Sequence, residues 1–337
     1  MYELVRNALF LMNPEISHDV SMDMMSAAER LKLIGLLKPR FQGHSKKIMG
    51  LEFSNPVGLA AGLDKNGDYF NAMGALGFGF VEIGTVTPVA QSGNEAPRLF
   101  RLPEHEAIIN RMGFNNKGVD YLANQVRNHR RYNGNIGINI GKNKATTDED
   151  ALSDYIACMQ KVYDLADYIA INISSPNTPG LRGLQFGDAL EKLISGLADE
   201  RKRLADDHGK YVPVAVKVAP DSDDEGLKFI AETLMKHEMD GVIATNTTVS
   251  RDAVAEHKHA EEAGGLSGAP LSELSTQVIA KLRQNLGADM PIIGCGGISS
   301  TDDAIAKIEA GADLLQIYSG FIYKGPTLIK SVNAAFD

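Results

Sequence analysis

The chain has 337 residues, enough for one large α/β domain or two smaller ones. Its 44% apolar and 23% charged residues are ordinary for a globular protein, and a net charge of −9 excludes the basic footprint of a nucleic-acid binder. Cys158 and Cys295 are its only cysteines. That excludes a disulfide framework, a cysteine-held zinc or an iron–sulfur cluster within this chain, and fits a reducing, intracellular compartment.

The opening MYELVRNALFLMNPEISHD lacks the form of a secretory signal, because its apolar stretch is short and broken by Asn13-Pro14. No apolar run reaches the roughly 20 residues that span a bilayer. Leu4, Val5, Ala8, Leu9, Leu11 and Met12 form one helical stripe; Val20, Met24, Ala27, Ala28 and Leu31 form a second. Arg30, Lys32, Lys38, Arg40, Lys46 and Lys47 then follow with no acidic residue before Leu51. Two readings stay open for this segment: docking on an anionic membrane surface, or a helical hairpin packed on its own domain.

From residue 55 onward, short apolar runs rich in Val, Ile and Gly recur at 55–62, 79–84, 135–141, 167–173, 211–220, 240–246, 290–297 and 313–320. Helix-period segments lie between them, such as 188–204 and 225–237. Eight strands alternating with helices predict an α/β fold, a (β/α)8 TIM barrel rather than a doubly wound sheet. The expected organisation is an N-terminal helical extension over 1–45 and a barrel over 46–337. In three runs the residues alternate, with Ile136, Ile138 and Ile140, then Ile169, Ile171 and Ile173, then Val212, Val214, Val216 and Val218 each on one face. The branched face should meet the helices. The small-residue face, tipped with polar groups, should then leave room for a cofactor at the C-terminal mouth.

GCGGISS (294–300) and QIYSG (316–320) end the last two strands, where barrels commonly bind a phosphate through backbone N–H groups; GLSGAP (265–270) adds a glycine-rich edge. A mononucleotide phosphate fits, since GFGFVEIG has the wrong spacing for a dinucleotide. Lys217 sits in a valine-rich strand on the small-residue face, where a lysine is poorly explained by structure alone. It can form a Schiff base or stabilise negative charge on a cofactor. Lys65 has similar status, with a salt bridge to Asp64 or Asp68 as the plain alternative. Asn110, Asn139, Asn172, Asn177 and Asn246 collect at strand ends, and offer both donors and acceptors to a small ligand carrying amides or a carboxylate.

The segments NPVGLAAGLDKNG, EIGTVTP, PRLFRL, NRMGFNN, GINIGKNK, INISSPNTPGLR, VKVAPD, GVIATNTT, GGLSG, GCGGI and QIYSGFIYKGP run from Asn55 to Pro326. Together they resemble the dihydroorotate dehydrogenases, flavin enzymes of pyrimidine biosynthesis. The N-terminal extension is similar to that of class 2, the membrane-associated, quinone-reducing branch. Class 1 enzymes lack the extension and use a cysteine base where this chain has Ser175.

The resemblance implies oxidation of dihydroorotate to orotate, with FMN accepting a hydride, Ser175 acting as base and a membrane quinone as final acceptor. It implies a substrate site of Lys65, Asn110, Arg111, Met112, Gly113, Phe114, Asn172, Asn177, Asn246 and Thr247. FMN would be held by Ala61, Gly62, Leu63, Asp64, Lys65, Thr85, Asn139, Asn172, Lys217, Thr245, Gly268, Gly297, Tyr318 and Ser319. Quinone would meet His18, Arg101 and Tyr318, and no metal is expected. The resemblance also implies a monomer, peripheral on the cytoplasmic face of the inner membrane, and favours membrane docking for the extension.

Serine is a weak base, so Ser175 needs exact placement and a proton relay, for which Thr178 is suited; Pro176 and Pro179 stiffen the loop. Three rival readings stand beside it: a class 1-like dihydropyrimidine oxidase with another acceptor, a flavin-free lyase using Lys217 as a Schiff base, and an inactive scaffold. Ser175 and the extension oppose the first. Borohydride trapping against a yellow preparation separates the second. The full set of Asn172, Ser175, Asn177, Lys65 and Lys217 opposes the third.

Overall fold

The computed structural model describes residues 2–39 and 43–336, so Arg40 of the basic run lies outside the described residues. Helices α1 (Tyr2–Phe10) and α2 (Pro14–Arg30) open the chain. Asn13 caps α2, its Oδ1 accepting the N–H groups of Glu15 and Ile16 at 3.0 and 3.4 Å, while Pro14 takes a first-turn position that needs no N–H. An antiparallel hairpin follows, β1 (Lys46–Ile48) and β2 (Leu51–Phe53). Next come β3 (Val57–Leu59), α3 (Phe70–Ala75) and β4 (Phe80–Val86). The chain leaves through β5 (Leu99–Leu102) and β6 (Ala107–Asn110), then returns by α4 (Val119–His129) to β7 (Asn135–Ile140). The alternation continues with α5 (Ala151–Val162), β8 (Tyr168–Asn172), α6 (Gly187–His208), β9 (Val214–Val218), α7 (Asp224–Lys236) and β10 (Gly241–Ala244). β11 (Gly265–Gly268) again lies outside, before α8 (Ser272–Leu286), β12 (Ile292–Cys295), α9 (Thr301–Glu309), β13 (Leu314–Ile317), α10 (Ser319–Lys324) and α11 (Thr327–Asn333).

Strands β3, β4, β7, β8, β9, β10, β12 and β13 close in that order into a parallel barrel, and each falls within one of the eight apolar runs except β4, which runs two residues past 79–84 to Val86. The alternation in β7, β8 and β9 sorts as expected. Their branched residues join one continuous core with helix residues such as Tyr155, Ile194 and Leu234, while Tyr168, Ala170 and Ala215 turn inward. Burying each branched side chain stabilises by about 1.5–3 kcal/mol relative to exposure, which locks the register.

The barrel interior is graded rather than uniformly small. Phe80, Tyr168, Ile243, Ile293 and Leu314 fill its lower part, and Phe53 of β2 plugs the floor, edge-on to Phe80 at 5.1 Å between ring centres. Gly58 and Gly137 make room for this plug, since a Cβ there would come within 2.3 Å of the Phe80 ring and 2.1 Å of the Tyr168 ring. Packing is thus spent on the floor, and the mouth stays open.

Two features were not foreseen. The floor hairpin carries Lys46 and Lys47, so these two cations belong to the barrel floor and not to one patch with the helices. Lys46 Nζ lies 4.5 Å from the centre of the Phe336 ring and donates to the carbonyl of Asp313. Strands β5, β6 and β11 form a separate antiparallel sheet beside the mouth, in which Asn110 pairs with both Leu99 and Gly265. The glycine-rich edge at 265–268 is therefore a strand.

Helices α1 and α2 face the barrel with Tyr2, Leu9, Phe10, Met22, Met25 and Ala28, so of the stripes picked out by period only Leu9 and Ala28 take part, and most of the rest turn outward. Leu4, Leu11 and Met24 are 75%, 90% and 63% exposed, and Leu31, Leu33, Leu36 and Leu37 extend the same bare apolar character. No described helix is long and apolar enough to cross a membrane.

Candidate active site

At the barrel mouth a cavity of about 1000 Å³ opens above the aromatic floor. It collects Ala61, Gly62, Lys65, Thr85, Asn110, Met112, Gly113, Phe114, Asn172, Ser175, Asn177, Lys217, Thr245, Asn246, Thr247, Gly268, Gly297, Tyr318 and Ser319. Residues as far apart in sequence as Ala61 and Ser319 meet here because each sits at, or just beyond, the C-terminal end of a strand.

Four expected residues do not face this cavity. Arg111 turns away to Glu262, 2.7 Å distant, and stacks on Phe100. Leu63 points into a neighbouring cavity. Asp64 is buried and accepts the N–H groups of Asp68 and Tyr69 at 2.9 and 2.8 Å; burial pushes its carboxyl up to about 6 against those hydrogen bonds. Asn139 lies behind the wall, where it accepts from Thr85 Oγ1 at 2.5 Å and from Asn172 Nδ2 at 3.3 Å. Asn172 Nδ2 also donates to Thr85 Oγ1 at 2.9 Å, so three strand ends are fastened side by side.

That chain of amides ends on a carboxylate overlooked in the sequence. Glu82 is fully buried inside the barrel, with Oε1 accepting from Asn139 Nδ2 at 2.8 Å. Its Oε2 accepts from Tyr168 Oη at 2.8 Å and Gln316 Nε2 at 2.7 Å. The run GFVEIG held the clue: a lone charge in an apolar strand demands buried partners.

The loop after β8 supplies the polar tips. The N–H of Asn177 donates to Ser175 Oγ at 3.2 Å, leaving the hydroxyl proton free to turn into the cavity. Thr178 Oγ1 and Thr247 Oγ1 are buried without a partner among the described residues. Asn177 Nδ2 donates to the Asn110 carbonyl at 3.1 Å, and Asn246 Nδ2 to Ser174 Oγ at 2.9 Å. Arg182 was also overlooked; it donates to the carbonyls of Ser174 at 3.0 Å and Thr247 at 2.7 Å and pairs with Asp221 at 2.7 Å, clasping the β8 and β10 loops together.

Lys217 is 5% exposed and forms no ion pair among the described residues, so its charge is directed at the cavity. Lys65 is half-buried, and neither Asp64 nor Asp68 pairs with it. Burial lowers its pKa to about 8, against the pull of Glu15, Asp19 and Asp64. On the far side, Gly297, Gly268 and Ser319 form the expected glycine-rich rim. Lys307 braces it from behind, donating to the Ser272 carbonyl at 2.6 Å, and burial lowers its pKa to about 8.

A second cavity of about 720 Å³ lies between α1, α2 and the barrel, and His18, Arg101 and Tyr318 all line it. Tyr318 lines both cavities, so one aromatic ring separates them. Burial, assisted by the Lys65 charge, lowers the His18 imidazole to about 3, so it is neutral at working pH. Arg101 donates to the carbonyls of Leu9 and Met12 and stacks 4.6 Å from the centre of the Phe10 ring, satisfying the open end of α1. Among the described residues, no group of His, Cys, Asp and Glu is arranged to hold a metal ion.

The family profile described as dihydroorotate dehydrogenase matches residues 44–336. The chain is 61% identical over 329 residues to a protein of Saccharophagus degradans named dihydroorotate dehydrogenase (quinone), covering 98% of this chain and 97% of the relative. A protein of the same name from Cellvibrio japonicus is 60% identical over 334 residues, covering 99% and 97%. Among solved structures, that of the Eimeria tenella enzyme in complex with ferulenol superposes with a TM-score of 0.88 at 36% identity, covering 98% of this chain and 93% of that one. With its barrel, mouth cavity and second cavity under the N-terminal helices, the chain belongs to the dihydroorotate dehydrogenase family.

Proposed function

We infer that this chain oxidises dihydroorotate to orotate, a step of pyrimidine biosynthesis, and passes the electrons to a quinone. The observation that carries this reading is the pair of cavities sharing Tyr318: one carrying the strand-end amides, Ser175 and two lysines, the other lying under the N-terminal helices with His18 and Arg101 among mainly apolar side chains. Donor and acceptor therefore have separate sites one ring apart.

The mouth cavity fits FMN. It has the room, a glycine-rich rim for a phosphate, the unpaired Lys217, and orphaned acceptors or donors at Thr247 Oγ1 and Gln316 Oε1. Bound there, FMN would supply the two-electron acceptor that no side chain of this protein provides. Ala61, Gly62, Thr85, Thr245 and Lys217 would hold its ring, with Gly268, Gly297 and Ser319 on its phosphate.

Asn110, Asn172, Asn177 and Asn246 would bind the pyrimidine edge, and the backbone at Gly113 and Phe114 would close the site. Lys65, protonated below about 8, would balance the substrate carboxylate. Ser175 would take the C5 proton and hand it to Thr178, whose hydroxyl otherwise lacks a partner. Quinone would enter beneath α1 and α2 and meet His18, Arg101 and Tyr318. The exposed leucines of the extension would rest in the lipid interface, with Arg30, Lys32 and Lys38 near anionic headgroups. The protein would thus be a peripheral one on the cytoplasmic face of the membrane, and monomeric.

The test is steady-state turnover with dihydroorotate and a short-chain quinone. Quinone-dependent orotate formation supports the reading, and orotate formed equally well with fumarate as sole acceptor would replace it with the class 1-like alternative.

A further inference from the structure

The loop between β4 and β5 contains Asn94, a residue without an assigned part in the site. Its Nδ2 donates to the carbonyls of Arg111 at 3.0 Å and Asn177 at 3.3 Å, while its Oδ1 accepts from Lys144 Nζ at 3.0 Å. Its own N–H donates to the Met112 carbonyl at 3.0 Å, and its carbonyl accepts from Arg98 at 2.8 Å. Gly113 permits this approach, since a Cβ there would fall 2.8 Å from Asn94 Nδ2. One side chain therefore joins the 110–114 segment, the 172–182 loop and the segment after β7. Arg98, which holds Asn94, is clamped through both Nε and Nη2 to the Glu15 carboxylate of α2 at 2.9 to 3.1 Å.

We propose that Asn94 is a positioning residue for substrate, setting the gap between the Asn110 and Asn177 walls and tying that gap, through Arg98 and Glu15, to helix α2. It touches neither substrate nor cofactor and acts only through the main chain of its neighbours. The proposal rests on the reading of the mouth cavity as the dihydroorotate site. Amide chemistry is essential: two carbonyl oxygens require a donor, and the ammonium requires an acceptor. Asn94→Asp keeps the shape and the Lys144 contact but turns an oxygen on two carbonyls, so it should open the gap more than Asn94→Ala does.

The experiment compares wild type, Asn94→Asp and Asn94→Ala by orotate titration, by KM and kcat for dihydroorotate, and by the rate at which trypsin cuts after Arg182. The expected result is an orotate affinity weakened about tenfold in Asn94→Asp and less in Asn94→Ala, with KM rising in step and kcat changing by under threefold. Cleavage after Arg182 should be faster in both variants and suppressed by saturating orotate. Cofactor content should match wild type, and the unfolding midpoint should fall by no more than about 4 °C. Wild-type affinity and wild-type cleavage in Asn94→Asp would overturn the proposal, as would a parallel fall in kcat and midpoint, which marks a merely structural role. Should Asn94→Asp fail to fold, Asn94→Ser, which keeps a donor on a shorter arm, must show intermediate cleavage. Orotate that fails to bind even wild type refutes the functional reading, and cleavage of the unliganded variants still decides the role of Asn94.

Discussion

Replacing Glu82 tests whether the barrel interior is held by hydrogen-bond satisfaction. Glu82→Ala strips partners from Asn139 Nδ2, Tyr168 Oη and Gln316 Nε2, all in a fully buried setting. Each stranded donor costs about 1–3 kcal/mol. Gln316 and Tyr168 already lie 3.3 Å apart and can partly satisfy each other, so a net loss of about 3–6 kcal/mol is expected. For 337 residues the unfolding entropy is about 0.7 kcal/mol per kelvin, which converts that loss to a fall of about 4–9 °C in Tm. Glu82→Gln is the control. The Gln amide keeps one acceptor oxygen and gives Tyr168 Oη a donor to accept, so about one donor is stranded rather than three and the fall should stay within about 4 °C. The assay is thermal unfolding by circular dichroism at one fixed scan rate, with cofactor saturating. A Glu82→Ala midpoint within 2 °C of wild type would refute the reasoning, and so would a Gln variant as damaged as the Ala variant, because charge rather than pairing would then govern.

Three further outcomes follow from the site. Ser175→Ala should retain cofactor and fold while slowing reduction by dihydroorotate by about 10²–10⁴-fold, read by stopped flow; near-normal reduction removes Ser175 as base. His18 takes a proton in the unfolded chain below pH 6.5 but in the folded chain only near 3, so its contribution to stability is present above 6.5 and is lost as pH falls toward 3. The midpoint of His18→Gln should therefore decline less than that of wild type between pH 6.5 and 4, and parallel curves would contradict the burial of a neutral imidazole. Charge placed on the bare helices, in Leu4→Glu combined with Leu11→Glu and Leu36→Glu, should release the protein from anionic vesicles in co-sedimentation without lowering Tm; unchanged binding would exclude this face as the membrane contact.

The barrel was legible because its signal is local. Eight apolar runs, two-residue alternation and polar strand tips each sit within a few neighbouring residues, and burial on two faces leaves little freedom in how they pair. What escaped depends on partners far away. KKI and LEF are too short and mixed to read as strands until the barrel floor supplies Phe80 and Tyr168 for Phe53 to cover. Strands β5, β6 and β11 come together only through pairing across some 160 residues, and the pattern of 265–268 is all glycine, leucine and serine. The apolar stripes of the extension were found, but period alone does not say which side meets the barrel, and Tyr2, Phe10, Met22 and Met25 took most of that place beside Leu9 and Ala28. Within the site, residues that face the cavity were recognisable by type and position. Glu82, Asn94, Arg182 and Lys307 were not, since their work is to hold other groups and shows only once their partners are in place.

The central claim is that the mouth cavity brings dihydroorotate and a flavin together. The most direct measurement is the visible spectrum of the purified protein under anaerobic conditions, before and after dihydroorotate is added. The account predicts an oxidised-flavin spectrum that bleaches on addition and recovers with quinone. A flavin that stays oxidised would contradict the substrate assignment, and folded protein without any flavin would contradict the cofactor and return Lys217 to the Schiff-base reading.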